Sequence, residues 1–368
     1  MALDADWMAR ALALAARGVG RTRPNPPVGA VVVSADGKRL LGEGWHRRAG
    51  TPHAEVHALR AAGAAARGAT LYVTLEPCCT TGRTPPCTDA ILTAGIARVV
   101  AAVRDPNPRH AGRGLRRLRR AGVRVDRGVC AEEASRLIEP FATWIAEQRP
   151  MVTLKIGATL DGRIADRLGR SRWITCPTSR AQVQRLRRSA DAILVGGRTA
   201  RLDDPSLGGG AAGRSEGPLR VILDERGGLP AGLKVLTDAA ASRTIVATTR
   251  LCPQERVRAY ARHGARVWTL PAAGGRVSLP ALLLRLGAEG ILHVLCEGGG
   301  ELAAELLRKG LVGRIVWFVA PSLLGGTGVA ALGGPGWALA QSPELTFTAV
   351  ERCGRDVMLE ARPGRGRR

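Results

Sequence analysis

His53-Ala54-Glu55, followed by Glu76-Pro77-Cys78-Cys79-Thr80-Thr81-Gly82-Arg83-Thr84-Pro85-Pro86-Cys87, is the text on which the reading of this chain turns. Zinc takes nitrogen and sulfur donors in a tetrahedron, and a catalytic zinc site keeps three protein ligands so that the fourth position stays open to water. His53, Cys78 and Cys87 supply such a set. Cys79 is the rival of Cys78, but adjacent residues do not readily aim at one ion, and Cys78 holds the place after Pro77. Water activated by the metal attacks the amidine-like carbon of an aminopyrimidine near neutral pH, and a carboxylate must carry the proton to the departing ammonia. Glu55, two residues from a ligand, can reach the open side of the ion without binding it. His53 and His57 also stand four apart, as in a zinc-protease helix, but such a helix has Glu directly after the first His, where this chain has Ala54. Pro85-Pro86 opens a helix at Cys87, and its positive end favours a thiolate.

Working outward, apolar runs of strand length fall at 28–34, 40–45, 69–75 and 99–103, with Asp36-Gly37 as a hairpin turn. Helical patterns fall at 2–18, 54–67 and 88–94, the last closed by Gly95. Strands alternating with helices predict a layered α/β domain. Arg149-Pro150 breaks a helix, and a new strand begins at Met151. The pattern then resumes, with strands at 192–195, 220–223, 244–247, 291–296 and 314–319, a helix at 301–309 and a flexible loop at 208–217. Length agrees with two domains: 368 residues at roughly 100–200 per domain.

The His-x-Glu and Pro-Cys pairing is the signature of zinc deaminases, but those that act on nucleic-acid bases carry Pro-Cys-x-x-Cys, and here the second cysteine comes nine positions after the first. That long loop, with Pro24-Asn25-Pro26-Pro27-Val28-Gly29, Gly44-Trp45-His46 and His53-Ala54-Glu55-Val56-His57-Ala58-Leu59, resembles the deaminase half of the bifunctional riboflavin biosynthesis deaminase–reductases. The resemblance implies a cytidine-deaminase-like α/β/α domain over 1–146. It also implies that Asn25 and His46 hold the pyrimidine and its sugar and that Arg83 meets the substrate phosphate. Where that family often has Ser-His after the first cysteine, this chain has Cys79-Thr80.

Four pieces stand out beyond residue 150: Leu154-Lys155-Ile156-Gly157-Ala158-Thr159-Leu160-Asp161-Gly162-Arg163, Ser171-Arg172-Trp173-Ile174-Thr175, Gly196-Gly197-Arg198-Thr199 with Asp203-Asp204-Pro205, and Glu297-Gly298-Gly299-Gly300. Glycines between a strand and a helix let backbone N–H groups approach a phosphate. Two such turns, at Gly196-Gly197 and Gly298 to Gly300, suggest a dinucleotide groove, although neither is the G-x-G-x-x-G fingerprint. Together the pieces resemble the reductase half of the same family. They imply a dihydrofolate-reductase-like α/β domain over 150–361, with a disordered basic tail at 362–368. By this resemblance Gly157, Trp173, Thr199, Asp203, Gly299 and Gly300 contact NADPH, and Lys155, Ser171, Arg187, Leu207 and Glu297 contact substrate. Two positions depart from the family: Gly208-Gly209-Gly210 stands in place of a phosphate-binding Thr-x-Arg, with Arg214 as a substitute, and Glu225 stands where a small hydroxyl residue is usual.

The implied function is deamination of 2,5-diamino-6-(5-phosphoribosylamino)pyrimidin-4(3H)-one with Zn2+, then NADPH reduction of the ribosyl chain to ribityl. Two alternatives make different demands: a chain in which only the deaminase half works, and an RNA-acting or RNA-binding protein. The net charge of +24 raises the second, but aromatic residues are only 3% of the chain, too few for a stacking platform. Nearly all the cations are Arg, and the lysines are Lys38, Lys155, Lys234 and Lys309 alone. Phosphorylated small substrates fit the same charge, so no nucleic acid is expected. The expected chain is cytoplasmic, since its start lacks a signal-peptide pattern and no apolar run spans a bilayer. It is also expected to be a homo-oligomer. Outside the 78–87 cluster, Cys130, Cys176, Cys252, Cys296 and Cys353 read as buried thiols.

Overall fold

The computed structural model describes residues 2–208 and 217–364. It divides into two compact units, Met1–Gln148 and Arg149–Arg368.

In the first unit five strands lie in the order Leu40–Trp45, Gly29–Val33, Thr70–Leu75, Arg98–Val103, Arg124–Arg127. The first two pairings are antiparallel and the last two parallel. Successive side chains on a strand point to opposite faces. Ala30, Val32, Leu71, Val73, Val99 and Ala101 therefore pack on one face with Ala54, Ala58, Ile91, Leu115 and Leu118, which come from three helices. Val31, Val33, Tyr72, Val100 and Ala102 pack on the other with Met8, Ala11, Leu14 and Ala134. The result is an α/β/α sandwich.

The helix expected over 54–67 ends at Ala62, because Gly63 takes φ +55 and a 3-10 turn, Gly63–Ala66, follows. Helix Arg113–Arg120 on one face, helix Ala131–Glu147 on the other and strand Arg124–Arg127 complete the unit.

The second unit is built on nine strands in the order Arg266–Thr269, Thr244–Thr248, Leu219–Leu223, Ala192–Gly196, His293–Cys296, Met151–Thr159, Val312–Ala320, Asp356–Pro363, Leu345–Cys353. The first seven are mutually parallel, and the last two close the sheet antiparallel. The central strands are buried on both faces, as parallel strands are when helices cover them. Arg362 and Pro363, which the sequence reading assigns to a disordered tail, belong to the strand Asp356–Pro363, where Arg362 pairs with Thr346. Gly364 N donates to the Glu344 carbonyl at 2.8 Å, while 365–368 of that expected tail and the 209–216 part of the expected loop, with Gly209, Gly210 and Arg214, lie outside the described residues. Cys176, Cys252, Cys296 and Cys353 are buried and unpaired, while Cys130 is only half-buried.

Candidate active sites

In the first unit the three expected metal donors come from three elements. His53 caps the helix Ala54–Ala62, Cys78 follows the strand Thr70–Leu75, and Cys87 opens the helix Cys87–Thr93. The donor atoms lie within 4.8 Å of one another. His53 Nδ1 is 3.2 Å from Cys87 Sγ and 3.6 Å from Cys78 Sγ. Zinc bonds of about 2.0–2.1 Å to nitrogen and 2.3 Å to sulfur, at tetrahedral angles, put such atoms roughly 3.5 Å apart. The geometry therefore fits zinc. His53 Nε2 stands 3.4 Å from Thr84 Oγ1, a partner that orients the ring.

The thiols make the same case. The Cys87 S–H beside Cys78 lowers the Cys78 thiol to about 4, and Cys78, with burial, pushes Cys87 well above its usual range. Left to themselves the two share one proton, which a bound dication would displace, taking both as thiolates. Cys79 points elsewhere, its Sγ 3.9 Å from His110 Nδ1.

Glu55 is 3% exposed, in the first turn of the helix that His53 caps, and burial raises its carboxyl against the opposing pull of His53. His46 is buried and held neutral, its imidazole lowered to about 4 chiefly by burial. Its Nδ1 lies 3.3 Å from the Pro52 carbonyl and its Nε2 3.1 Å from Asn25 Nδ2, which fixes one tautomer: Nδ1–H donates and Nε2 accepts. The His46 and His53 rings meet edge to face with centroids 5.0 Å apart. Asn25 and His46 thus sit against the metal cluster. Arg83 is exposed on the Cys78–Cys87 loop.

Glu76 carries no motif that marks it in the sequence. Its buried carboxylate accepts backbone N–H groups from Asp105, Gly112, Gly114 and Leu115 at 3.2, 2.8, 3.0 and 3.4 Å. This braces the chain two residues from Cys78. The one signal was an acid ending an apolar strand.

The second unit holds a cleft of about 1390 Å³. Lys155, Gly157, Ser171, Trp173, Arg187, Thr199, Asp203, Leu207, Glu297, Gly299 and Gly300 all line it. It exceeds the roughly 300–1,000 Å³ of a single-ligand pocket, leaving room for cofactor and substrate together. Gly196 ends the strand Ala192–Gly196 and Gly299 lies three residues past the strand His293–Cys296; they cap the helices Gly197–Asp203 and Gly300–Arg308. A Cβ on Gly299 would stand 3.5 Å from Thr199 Oγ1, filling the gap between the two turns. Two open N-termini facing one cleft suit a dinucleotide pyrophosphate.

On the same cleft Arg187 and Glu297 form a buried fork, Nε to Oε1 at 2.6 Å and Nη2 to Oε2 at 2.9 Å. Burial works against ionised Glu297, but Arg187 and Lys155 outweigh it and hold the carboxyl below its usual range. Burial lowers the Lys155 ammonium, with Glu297 opposing and Arg187 reinforcing. Ser171 Oγ reaches Asp203 Oδ1 at 3.3 Å. Leu207 borders the cleft, but its side chain packs in the core with Ile193 and Val195. Arg180, unforeseen from sequence, covers the Trp173 ring at 4.5 Å.

Residues 150–359 match the family model described as RibD C-terminal domain, and 1–103 the model described as cytidine and deoxycytidylate deaminase zinc-binding region. The riboflavin biosynthesis protein RibD of Aquifex aeolicus (strain VF5) is 44% identical over 358 residues, covering 97% of this chain and 98% of that one. The protein of the same name from Escherichia coli (strain K12) is 42% identical over 364 residues, with 97% and 98% covered. Among solved structures, Acinetobacter baumannii RibD, form 1, shares 38% identity at a TM-score of 0.87, with 99% of each chain covered. A Thermotoga maritima diaminohydroxyphosphoribosylaminopyrimidine deaminase/5-amino-6-(5-phosphoribosylamino)uracil reductase also gives 38% and 0.87, covering 98% of this chain and 99% of that one.

Proposed function

The chain belongs to the RibD family, the bifunctional deaminase–reductases of riboflavin biosynthesis, and on that premise we propose which of its residues perform the two reactions and on what substrate. The substrate is 2,5-diamino-6-(5-phosphoribosylamino)pyrimidin-4(3H)-one. His53, Cys78 and Cys87 would hold the zinc. Zinc supplies a Lewis acid that makes water a nucleophile at neutral pH, and NADPH supplies the two-electron reductant. Glu55 takes a proton from the attacking water and hands it to the amino group leaving the ring. Neutral His46, held by Pro52 and Asn25, presents a fixed edge to the pyrimidine and its sugar. Arg83 takes the phosphate.

In the second unit Gly157, Trp173, Thr199, Asp203 and the Gly299–Gly300 turn hold NADPH, while Ser171, Arg187, Leu207 and Glu297 hold the deaminated product. Lys155 gives the proton that the sugar oxygen takes up as C1′ is reduced. A reductase-dead chain is not favoured, because the expected reductase residues gather on one cleft.

The observation that carries this reading is the convergence of an imidazole and two thiols within 4.8 Å, beside a buried carboxyl. The test is to give zinc-loaded full-length protein the diaminopyrimidine phosphate and NADPH. Ammonia release should precede NADPH oxidation, and oxidation without ammonia would overturn the order.

The proposal includes a homo-oligomer and no nucleic acid. The edge strand Leu345–Cys353, with Leu345, Phe347 and Val350 exposed, supports the first, since an uncovered apolar edge invites another chain. On location, no helix among the described residues is long and apolar enough to cross a membrane.

A further inference from the structure

Glu225 is an acid on the cleft to which the two reactions give no role. It follows the strand Leu219–Leu223 and lines the large cleft with Arg226, Arg201 and Gly228. Its neighbour Asp224 is spent on the turn, accepting from Gly228 N at 2.9 Å, Leu229 N at 3.2 Å and Tyr260 Oη at 2.7 Å. The carboxylate of Glu225 has no hydrogen bond or ion pair among the described residues, although its backbone is pinned through its carbonyl by Thr249 Oγ1 at 2.8 Å.

Topology says which part of a dinucleotide reaches it. The strands ending at Cys296, Gly196 and Leu223 are consecutive neighbours in the sheet, and Met151–Thr159, which carries Lys155, lies beside the first on the opposite flank. With the pyrophosphate at the Gly196 and Gly299 turns, the reacting end points toward Lys155. The adenosine then lies over the end of Leu219–Leu223, one strand spacing of about 4.8 Å from Gly196. An acid at the end of a strand in this position accepts a ribose 2′-hydroxyl, whereas cations there accommodate a 2′-phosphate.

We propose that Glu225 sets the cofactor preference: its carboxylate accepts the adenosine 2′-hydroxyl, so that the chain binds and oxidises NADH as well as NADPH, with Arg226 and Arg201 serving the 2′-phosphate. The proposal rests on the reading of the cleft as the cofactor site. Its test uses full-length protein, with dissociation constants for NAD+ and NADP+ by calorimetry and kcat/KM for NADH and NADPH on the deaminated intermediate.

In the wild type both nucleotides bind within about tenfold of each other. Glu225→Ser, and independently Glu225→Gln, shifts the ratio toward the phosphorylated cofactor by about tenfold or more, the effect of one charge-assisted hydrogen bond. A ratio that neither substitution moves, or a wild type that rejects NAD+ a thousandfold or more as an order of magnitude, overturns the role of Glu225 and leaves the cleft reading intact. A wild type that binds neither nucleotide overturns both.

Discussion

Lys155 is flanked by one partner of each sign, Glu297 and Arg187, and burial adds to the side that discharges it. Its ammonium therefore gives up its proton below the usual lysine range. A donor that must be protonated is lost as pH rises through that lowered value, so reductase kcat should fall on the alkaline side earlier than an exposed lysine would dictate. Lys155→Met should lower kcat by about 10²–10⁴ and flatten that limb, with ammonia release untouched; the check is the pH profile of NADPH oxidation on the deaminated intermediate. At this scale the sequence was most legible where chemistry demands a fixed residue type. His53, Cys78 and Cys87, whose donor atoms the fold brings together, were readable from spacing, because a zinc site accepts few residue types. Glu76 was not, because its four partners are backbone N–H groups, which leave no mark on sequence.

Elements hold these residues by close approach. Gly44 lies where a Cβ would stand 2.4 Å from His57 Cβ and 2.7 Å from the Ala54 carbonyl, so the strand Leu40–Trp45 touches the helix that His53 caps. Gly44→Val should push that helix away, cost about 1–3 kcal/mol, and lower both zinc content and deamination while NADPH oxidation persists. Metal analysis of the purified variant checks this. Gly29 allows the same approach on the other face, where a Cβ would lie 2.0 Å from the Ala11 carbonyl.

The helix Ala2–Ala16 is also pinned electrostatically. Arg98 forks onto Asp4 with both bonds at 2.9 Å, and Tyr72 Oη donates to Asp4 at 2.5 Å. The Arg98 hydrogen bond leads in lowering Asp4 to about 2. Because the folded value lies below the unfolded one, near 3.9, this stabilisation is present above about pH 4 and is lost as pH falls through about 2. Asp4→Asn should cost about 1–2 kcal/mol at pH 7 and progressively less as pH falls through about 2, as denaturant melts over that range would show. Strand and helix periods made most elements legible. The Arg-rich run Arg113–Arg120 escaped because only Leu115 and Leu118 mark its buried face, and Gly63 cut a helix whose alanines read as continuous.

For the whole molecule, charge and exposed apolar surface carry separate expectations. The net charge of +24 is a reason to look for nucleic acid and equally a field for phosphorylated small molecules. The account expects no RNA binding at physiological salt, and retention on RNA there by gel shift would count against it. Phe347→Arg on the exposed edge strand should shift sedimentation toward the single chain without altering the zinc site. That edge was invisible in the sequence, since an apolar strand looks alike whether its partner is its own sheet or another chain. The reductase cleft stands between these cases. Its residues, spread from Lys155 to Gly300, were recognisable by resemblance, but only the strand order brings them to one wall.

The central claim is that zinc and Glu55 carry the first reaction independently of the second. The most direct measurement is full-length Glu55→Gln, assayed for zinc content, for ammonia release from the diaminopyrimidine phosphate, and for NADPH oxidation on the deaminated intermediate. The account predicts about one zinc per chain, ammonia release reduced by about 10²–10⁴, and NADPH oxidation at the wild-type rate. Undiminished ammonia release from that variant would contradict it.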